Sequence, residues 1–149
     1  MGEVLSQAGA EALRTMNHRL VADVLFVRHR ELTVSDADWQ DMLDEIASSL
    51  QPQTTLRTLV KTDNAGPNAI QRNRLNQLVS SKHGTLRVAV MSSSVLVRGI
   101  VTAFSWMRSL EIKSFGPAEL SEALAFLDTS QVSAALAMHV FSDIEGLVG

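Results

Sequence analysis

Beyond Leu20 the chain alternates between two kinds of segment. Four short apolar runs, Leu20–Arg28, Leu56–Thr62, Leu86–Ser92 and Leu110–Phe115, are each succeeded by a stretch with helical spacing: Asp36–Leu50, Pro67–Val79, Ser94–Met107 and Pro117–Leu127. Repeated strand–helix–strand units are accommodated by crossover connections, so the pattern predicts a layered α/β domain. Its sheet is parallel or mixed, with four to five strands and four to five helices. The runs are apolar almost throughout rather than strictly alternating, as expected of strands covered on both faces. The predicted organisation is an N-terminal extension over 1–19 and a single domain over 20–149 that includes a C-terminal helix.

Local signals sharpen several of these elements. Leu20–Leu32 reads as one long strand or a hairpin, and Met1–Thr15 as a short amphipathic helix through Val4, Ala8 and Ala12. Ser35 is a good helix cap, with Asp36 and Asp38 in the positive first turn. Trp39, Met42, Leu43, Ile46 and Leu50 form the stripe that this helix buries, with the carboxylates Asp38, Asp41, Asp44 and Glu45 on a solvated face. Asp128-Thr129-Ser130 breaks the pattern and caps a last helix, whose apolar face is Val132, Ala135, Leu136, Val140 and Ile144.

The chain of 149 residues carries no cysteine, which excludes disulfides, thiolate metal sites and cysteine nucleophiles and is compatible with the cytoplasm. Its N-terminus lacks the basic and apolar regions of a signal peptide. The longest apolar stretch, Val95–Met107, is shorter than the roughly 18–20 residues of a membrane span and contains Arg98 and Gly99.

Charge is distributed unevenly. Residues 1–54 sum to −5, residues 55–115 to +7 and residues 116–149 to −5. The basic middle block either meets the acidic ends within the fold or offers a face to a phosphorylated ligand, an anionic lipid or an acidic protein. A cradle for such an anion is readable in the turn after the second apolar run. Lys61, Thr62, Asn64 and Gly66 lead into a helix start with Arg72 and Arg74 close behind. It has neither a Walker sequence nor dinucleotide glycine spacing. Nucleic-acid binding is not indicated, because the basic block lacks interleaved aromatic residues.

No catalytic constellation stands out. Ser92-Ser93-Ser94 reads as a helix cap and lies outside any nucleophile elbow. His18, His29, His83 and His139 are scattered without metal-ligand spacing, and His29 reads as a solvated strand end. No metal or cofactor is expected. The segment Ser94–Met107 is different, because it is apolar nearly all round. A helix of that kind is either deeply buried or binds something. Leu96, Val97, Arg98, Ile100, Val101 and Phe104 are therefore the expected partner-binding residues, for a second copy of the chain or another protein.

The element order over Leu20–Leu127 resembles the STAS domain, the anti-sigma-factor antagonist-like fold, and more narrowly the bacterial STAS/SEC14-like proteins. The resemblance is carried by Thr62-Asp63-Asn64-Ala65-Gly66-Pro67-Asn68, Arg87-Val88-Ala89-Val90-Met91-Ser92, Leu96 to Trp106, and Phe115-Gly116-Pro117-Ala118-Glu119-Leu120. It implies a regulatory interaction module without enzymatic activity. In the antagonists a serine at the helix start after a central strand is phosphorylated. Here Thr62-Asp63-Asn64 stands in place of the usual Asp-Ser-Ser/Thr-Gly, so the resemblance points to Thr62 as the nearest hydroxyl.

Overall fold

The computed structural model describes residues 14–30 and 33–146. Its elements run in the order β1 (Met16–Val21), β2 (Val24–His29), α1 (Asp36–Ser49), β3 (Thr55–Lys61), α2 (Ala69–Ser81), β4 (Thr85–Met91), α3 (Val95–Phe104), β5 (Leu110–Phe115), α4 (Leu120–Leu127) and α5 (Ala134–Gly146). The five strands lie side by side in chain order. β1 is antiparallel to β2, and all later pairs are parallel. This is the expected α/β domain with a mixed sheet.

Strand order dictates the layers. Each crossover from β2 to β5 moves one place in the same direction. Right-handed connections then put α1, α2 and α3 on one face of the sheet. That face buries Leu25, Val27, Leu56, Val60, Val88 and Val90 against Trp39, Ile46, Leu75, Val101 and Phe104. The opposite face carries Val24, Phe26, Leu59, Ala89 and Phe115, covered by Leu124, Leu127, Val140, Phe141 and Ile144 of α4 and α5. Successive strand residues point to opposite faces, and both faces are covered, which accounts for the near-continuous apolar runs.

The segment read as one strand or a hairpin is a hairpin, and its first strand begins at Met16, inside the stretch read as an extension. The two strands join through Ala22-Asp23, where Ala22 has φ 54°. Asp23 is fastened from outside the turn, accepting a hydrogen bond from Thr129 Oγ1 at 2.7 Å and facing Arg57 at 3.6 Å. The helix read at Met1–Thr15 falls almost wholly outside the described residues.

Caps set most helix boundaries. Ser35 accepts from the Asp38 N–H, Ser94 from the Val97 N–H, and Asn68 forms a reciprocal box with Gln71. Gln71 is itself buried and donates to the Val34 carbonyl and to Asp36, while its own carbonyl accepts from Trp39 Nε1. One glutamine thereby joins α1 to α2.

Three details differ from expectation. Asp128 closes α4 in the left-handed conformation, and Ser133, not Asp128 to Ser130, caps α5 by accepting from the Leu136 N–H at 3.1 Å. Starting α5 later turns Ala137 and Phe141 inward and leaves Ala135 exposed. Asp38 is buried rather than solvated, because the Thr15 N–H and hydroxyl both donate to it, at 2.7 and 2.8 Å. Burial alone would raise its carboxyl; the two Thr15 hydrogen bonds and nearby Arg14 hold it below the usual range.

Ala22 occupies a position that glycine adopts without steric cost. Ala22→Gly is therefore expected to stabilise the protein by about 0.5–1 kcal/mol, read as a higher midpoint in urea with an unchanged slope.

Candidate functional site

The carboxyl ends of β2 to β5 share one rim with the start of β1 and the end of α5. There, β3 passes into α2 through residues 62–68 and β4 into α3 through residues 92–94. Side-chain hydroxyls stitch the two connections together. Thr62 Oγ1 donates to the Ala65 carbonyl at 2.7 Å and accepts from the Ala65 N–H at 3.2 Å. Ser92 Oγ donates to the Asp63 carbonyl at 3.1 Å, and Ser94 Oγ donates to Asn64 Oδ1 at 2.9 Å. Gly66 lets the loop sit against Ile100 of α3; a Cβ on Gly66 would stand 2.6 Å from Ile100 Cδ1.

These bonds fix the fate of two sequence-predicted positions. Thr62 is 3% exposed and its hydroxyl is spent on the Ala65 turn, so the hydroxyl nearest the antagonists' modified serine is shut inside the loop. Asn64 is exposed, but its carbonyl oxygen is taken by Ser94.

The cationic residues of the expected anion cradle are drawn apart. Lys61 is directed to the α5 face, 3.4 Å from Glu145 and over the Phe141 ring at 5.8 Å. Arg72 donates to the Pro67 carbonyl at 3.0 Å, and Arg74 lies 3.8 Å from Asp36 on α1. Arg28, which carries no special signal in the sequence, is the stronger hub. It bonds Asp63 at 3.0 Å and Glu145 at 2.8 Å, tying the β3–α2 loop to the end of α5. Burial by itself would raise the Glu145 carboxyl; the Arg28 hydrogen bond and the Lys61 charge reverse that and hold it below the usual range. Lys61–Glu145, Arg57–Asp23 and Arg74–Asp36 each join the basic middle of the chain to its acidic ends.

The apolar helix is divided by its own geometry. Val97, Val101 and Phe104 turn down onto the sheet and are buried, so any contact surface on α3 is made without them. Ile100 is half-buried at the Gly66 loop, and Arg98 is exposed, with no ion pair among the described residues. Leu96 is 61% exposed and its neighbour Val95 78%. Ile70, in the first turn of α2 and absent from the sequence-predicted set, is 67% exposed. The Asn64–Ser94 bond brings these two helix starts to the same rim. One apolar residue on a polar helix face, such as Ile70, carries no periodic signal in the sequence.

His29 is buried, not solvated as expected. Desolvation, with the adjacent Arg28 charge, pushes its pKa down to about 4. Among the described residues, no group of three or more His, Asp or Glu is arranged to hold a metal ion. No described helix is long and apolar enough to cross a membrane.

A mixed sheet wound in one direction, three helices on one face and two on the other, with its loops gathered at the strand ends, defines a STAS-type α/β domain. The SpoIIAA-like family model matches residues 25–128, and the chain belongs to that family. Among curated proteins, none matches the chain. The family relation makes this a domain of the regulatory, protein-binding STAS kind.

The buried imidazole gives the fold a titration signature. His29 binds its proton more weakly in the folded chain than in the unfolded one. Stability is therefore full above the unfolded value of 6.5 and is lost progressively as pH falls toward about 4. Glu145 and Asp38, both depressed, add to the loss below about pH 4.5, as expected for carboxylates ionised in the native state. Urea melts between pH 7 and 4 are expected to show this decline. His29→Phe should remove part of the decline below pH 6.5, the rest belonging to His18, which burial also lowers, and Glu145→Gln should lower stability at pH 7 by about 0.5–1 kcal/mol, the size of a half-exposed pair.

Proposed function

We propose that this chain is a regulatory interaction module of the cytoplasm that works by contact, without catalysis, and that its contact surface is the rim formed by the starts of α2 and α3. The observation that carries this reading is the exposure of Ile70, Val95 and Leu96 at two helix starts held together by the Asn64–Ser94 hydrogen bond. Large apolar side chains grouped at the surface mark interaction sites. The partner assigned to the rim is a second copy of the chain. A two-fold contact would set each Leu96 and Ile70 against the partner copy's rim, an isologous arrangement that needs only one self-complementary patch. Arg98 lies beside the patch and Asp63 is exposed on the neighbouring loop, so the rim holds both signs of charge needed for such a contact.

The contact surface expected on α3 is thereby narrowed to Leu96, Arg98 and the outer edge of Ile100, with Val95 and Ile70 added. Fixed hydrogen bonds across the loops favour this reading because a preordered surface loses less entropy on association. The test is the mass in solution, by light scattering during gel filtration across a concentration series. The parent chain is expected to shift from monomer toward dimer as concentration rises. Leu96→Asp and Ile70→Asp, both at exposed positions, should keep the thermal midpoint and weaken association at least about tenfold. A parent that stays monomeric at every concentration, or folded variants that associate as the parent does, would refute the assignment.

A further inference from the structure

The two cations that converge on Glu145 belong to a longer row. In the sheet register Asn17 of β1 stands beside Arg28 of β2, and Arg28 stands beside Lys61 of β3. Side chains paired across neighbouring strands share a face, and Arg28 reaches Glu145 on α5, so the row lies on the face that α5 covers. An amide, a guanidinium and an ammonium group thus follow one another at intervals of about 5 Å at the rim end of the sheet. All three present N–H donors, and such a row is suited to an acceptor.

The acceptor it holds is an incomplete match. Arg28 Nε donates to Glu145 Oε1 at 2.8 Å, and Lys61 Nζ lies 3.4 Å from the same oxygen. Among the described residues nothing donates to the other oxygen, Oε2. Asn17 Nδ2, meanwhile, is buried without a hydrogen-bond partner among those residues, and Asn17 is 8% exposed. A donor shut away unpaired is uncommon in native structures and calls for a group to meet it. Glu145 sits in the last turn of α5, which fixes the approach of its carboxylate. A carboxylate free of the helix is able to present both oxygens, one to Arg28 and Lys61 and the other to Asn17.

The remainder of the site is set up without Glu145. The Arg28 guanidinium is oriented by the His29 carbonyl, by the Lys61 carbonyl at 3.4 Å and by Asp63 at 3.0 Å. Its side chain is 13% exposed and that of Glu145 39%, so the carboxylate is the more solvated member of the pair. Arg28 and Lys61 balance Asp63 and Glu145 in charge, and removal of Glu145 leaves a single positive charge, which one monoanion neutralises. Arg19, on the same face, is engaged by Asp143 at 3.8 Å.

We propose that Asn17, Arg28 and Lys61 form a binding site for the carboxylate of a small organic acid, and that Glu145 is its internal occupant, displaced when the ligand binds so that the last turn of α5 is released. The site is separate from the contact surface on α2 and α3 and does not depend on self-association.

Glu145→Ala vacates the site and leaves the row in place, and acetate is the probe. Added to this variant of the full chain, acetate is expected to raise the thermal midpoint saturably, beyond sodium chloride at equal ionic strength, whereas the uncharged isostere acetamide should not. The parent should bind acetate at least about tenfold more weakly, because the tethered Glu145 competes at a high effective concentration. Its Ile144 and Glu145 amide signals should move as acetate displaces the helix end. In the Glu145→Ala background, Asn17→Ala should weaken acetate about fivefold through the lost hydrogen bond, and Lys61→Gln, at a half-exposed position, at least as much. An effect of acetate on Glu145→Ala no larger than that of chloride, equal affinity in the parent and Glu145→Ala, or undiminished binding in both Asn17→Ala and Lys61→Gln would overturn the proposal.

Discussion

The structure depends on the handedness of its crossovers. Four parallel strands laid down in chain order, each joined to the next by a right-handed connection, force α1, α2 and α3 onto one face. The other face is left to the segment C-terminal to β5, where α4 and α5 cover it with Leu124, Leu127, Phe141 and Ile144. The same order has a functional consequence. A sheet whose strand order never reverses has no switch point, so the crevice in which many α/β sheets hold nucleotides does not form. The rim offers instead a ridge of stitched loops and two helix starts.

Electrostatics on that ridge are settled mainly within the fold. Arg28 and Lys61 converge on Glu145 and Arg74 meets Asp36, while Arg57 meets Asp23 at the opposite end of the sheet. The basic block visible in the sequence is to that extent answered by the acidic ends. Apart from Arg98, which has no ion pair among the described residues, the part of the rim left unanswered is apolar: Ile70, Val95 and Leu96. This balance favours contact with a surface of similar character over capture of a highly charged ligand.

Much of the architecture was legible in the residues because local and global preferences agree. Ser35 and Ser94 cap where they were expected to, and Trp39, Met42, Leu43 and Ile46 form the buried stripe of α1. The hairpin boundary was not legible, since Ala22-Asp23 lacks the glycine or asparagine that marks tight turns, and tertiary bonds from Thr129 and Arg57 to Asp23 take over that task. The burial of Asp38 was hidden for a related reason. Its partner Thr15 is 23 residues away and enters through the sheet. At the candidate site, α3 was recognisable from its apolar composition, but which of its residues face outward depends on the sheet beneath it. Val97, Val101 and Phe104 were thus grouped with Leu96 although they point the other way. The separation of Lys61 from Arg72 and Arg74 likewise arises from strand pleat and helix placement, which proximity in sequence does not report.

The central claim is that the rim of α2 and α3 is where this domain meets its partner copy. Amide chemical shifts of the labelled chain, tracked from dilute to concentrated solution, test this residue by residue. The account predicts concentration-dependent shifts confined to residues 63–70 and 94–98, with α5 and the β1–β2 hairpin unmoved. Shifts centred on α5 or the hairpin, or none at any concentration, would contradict it.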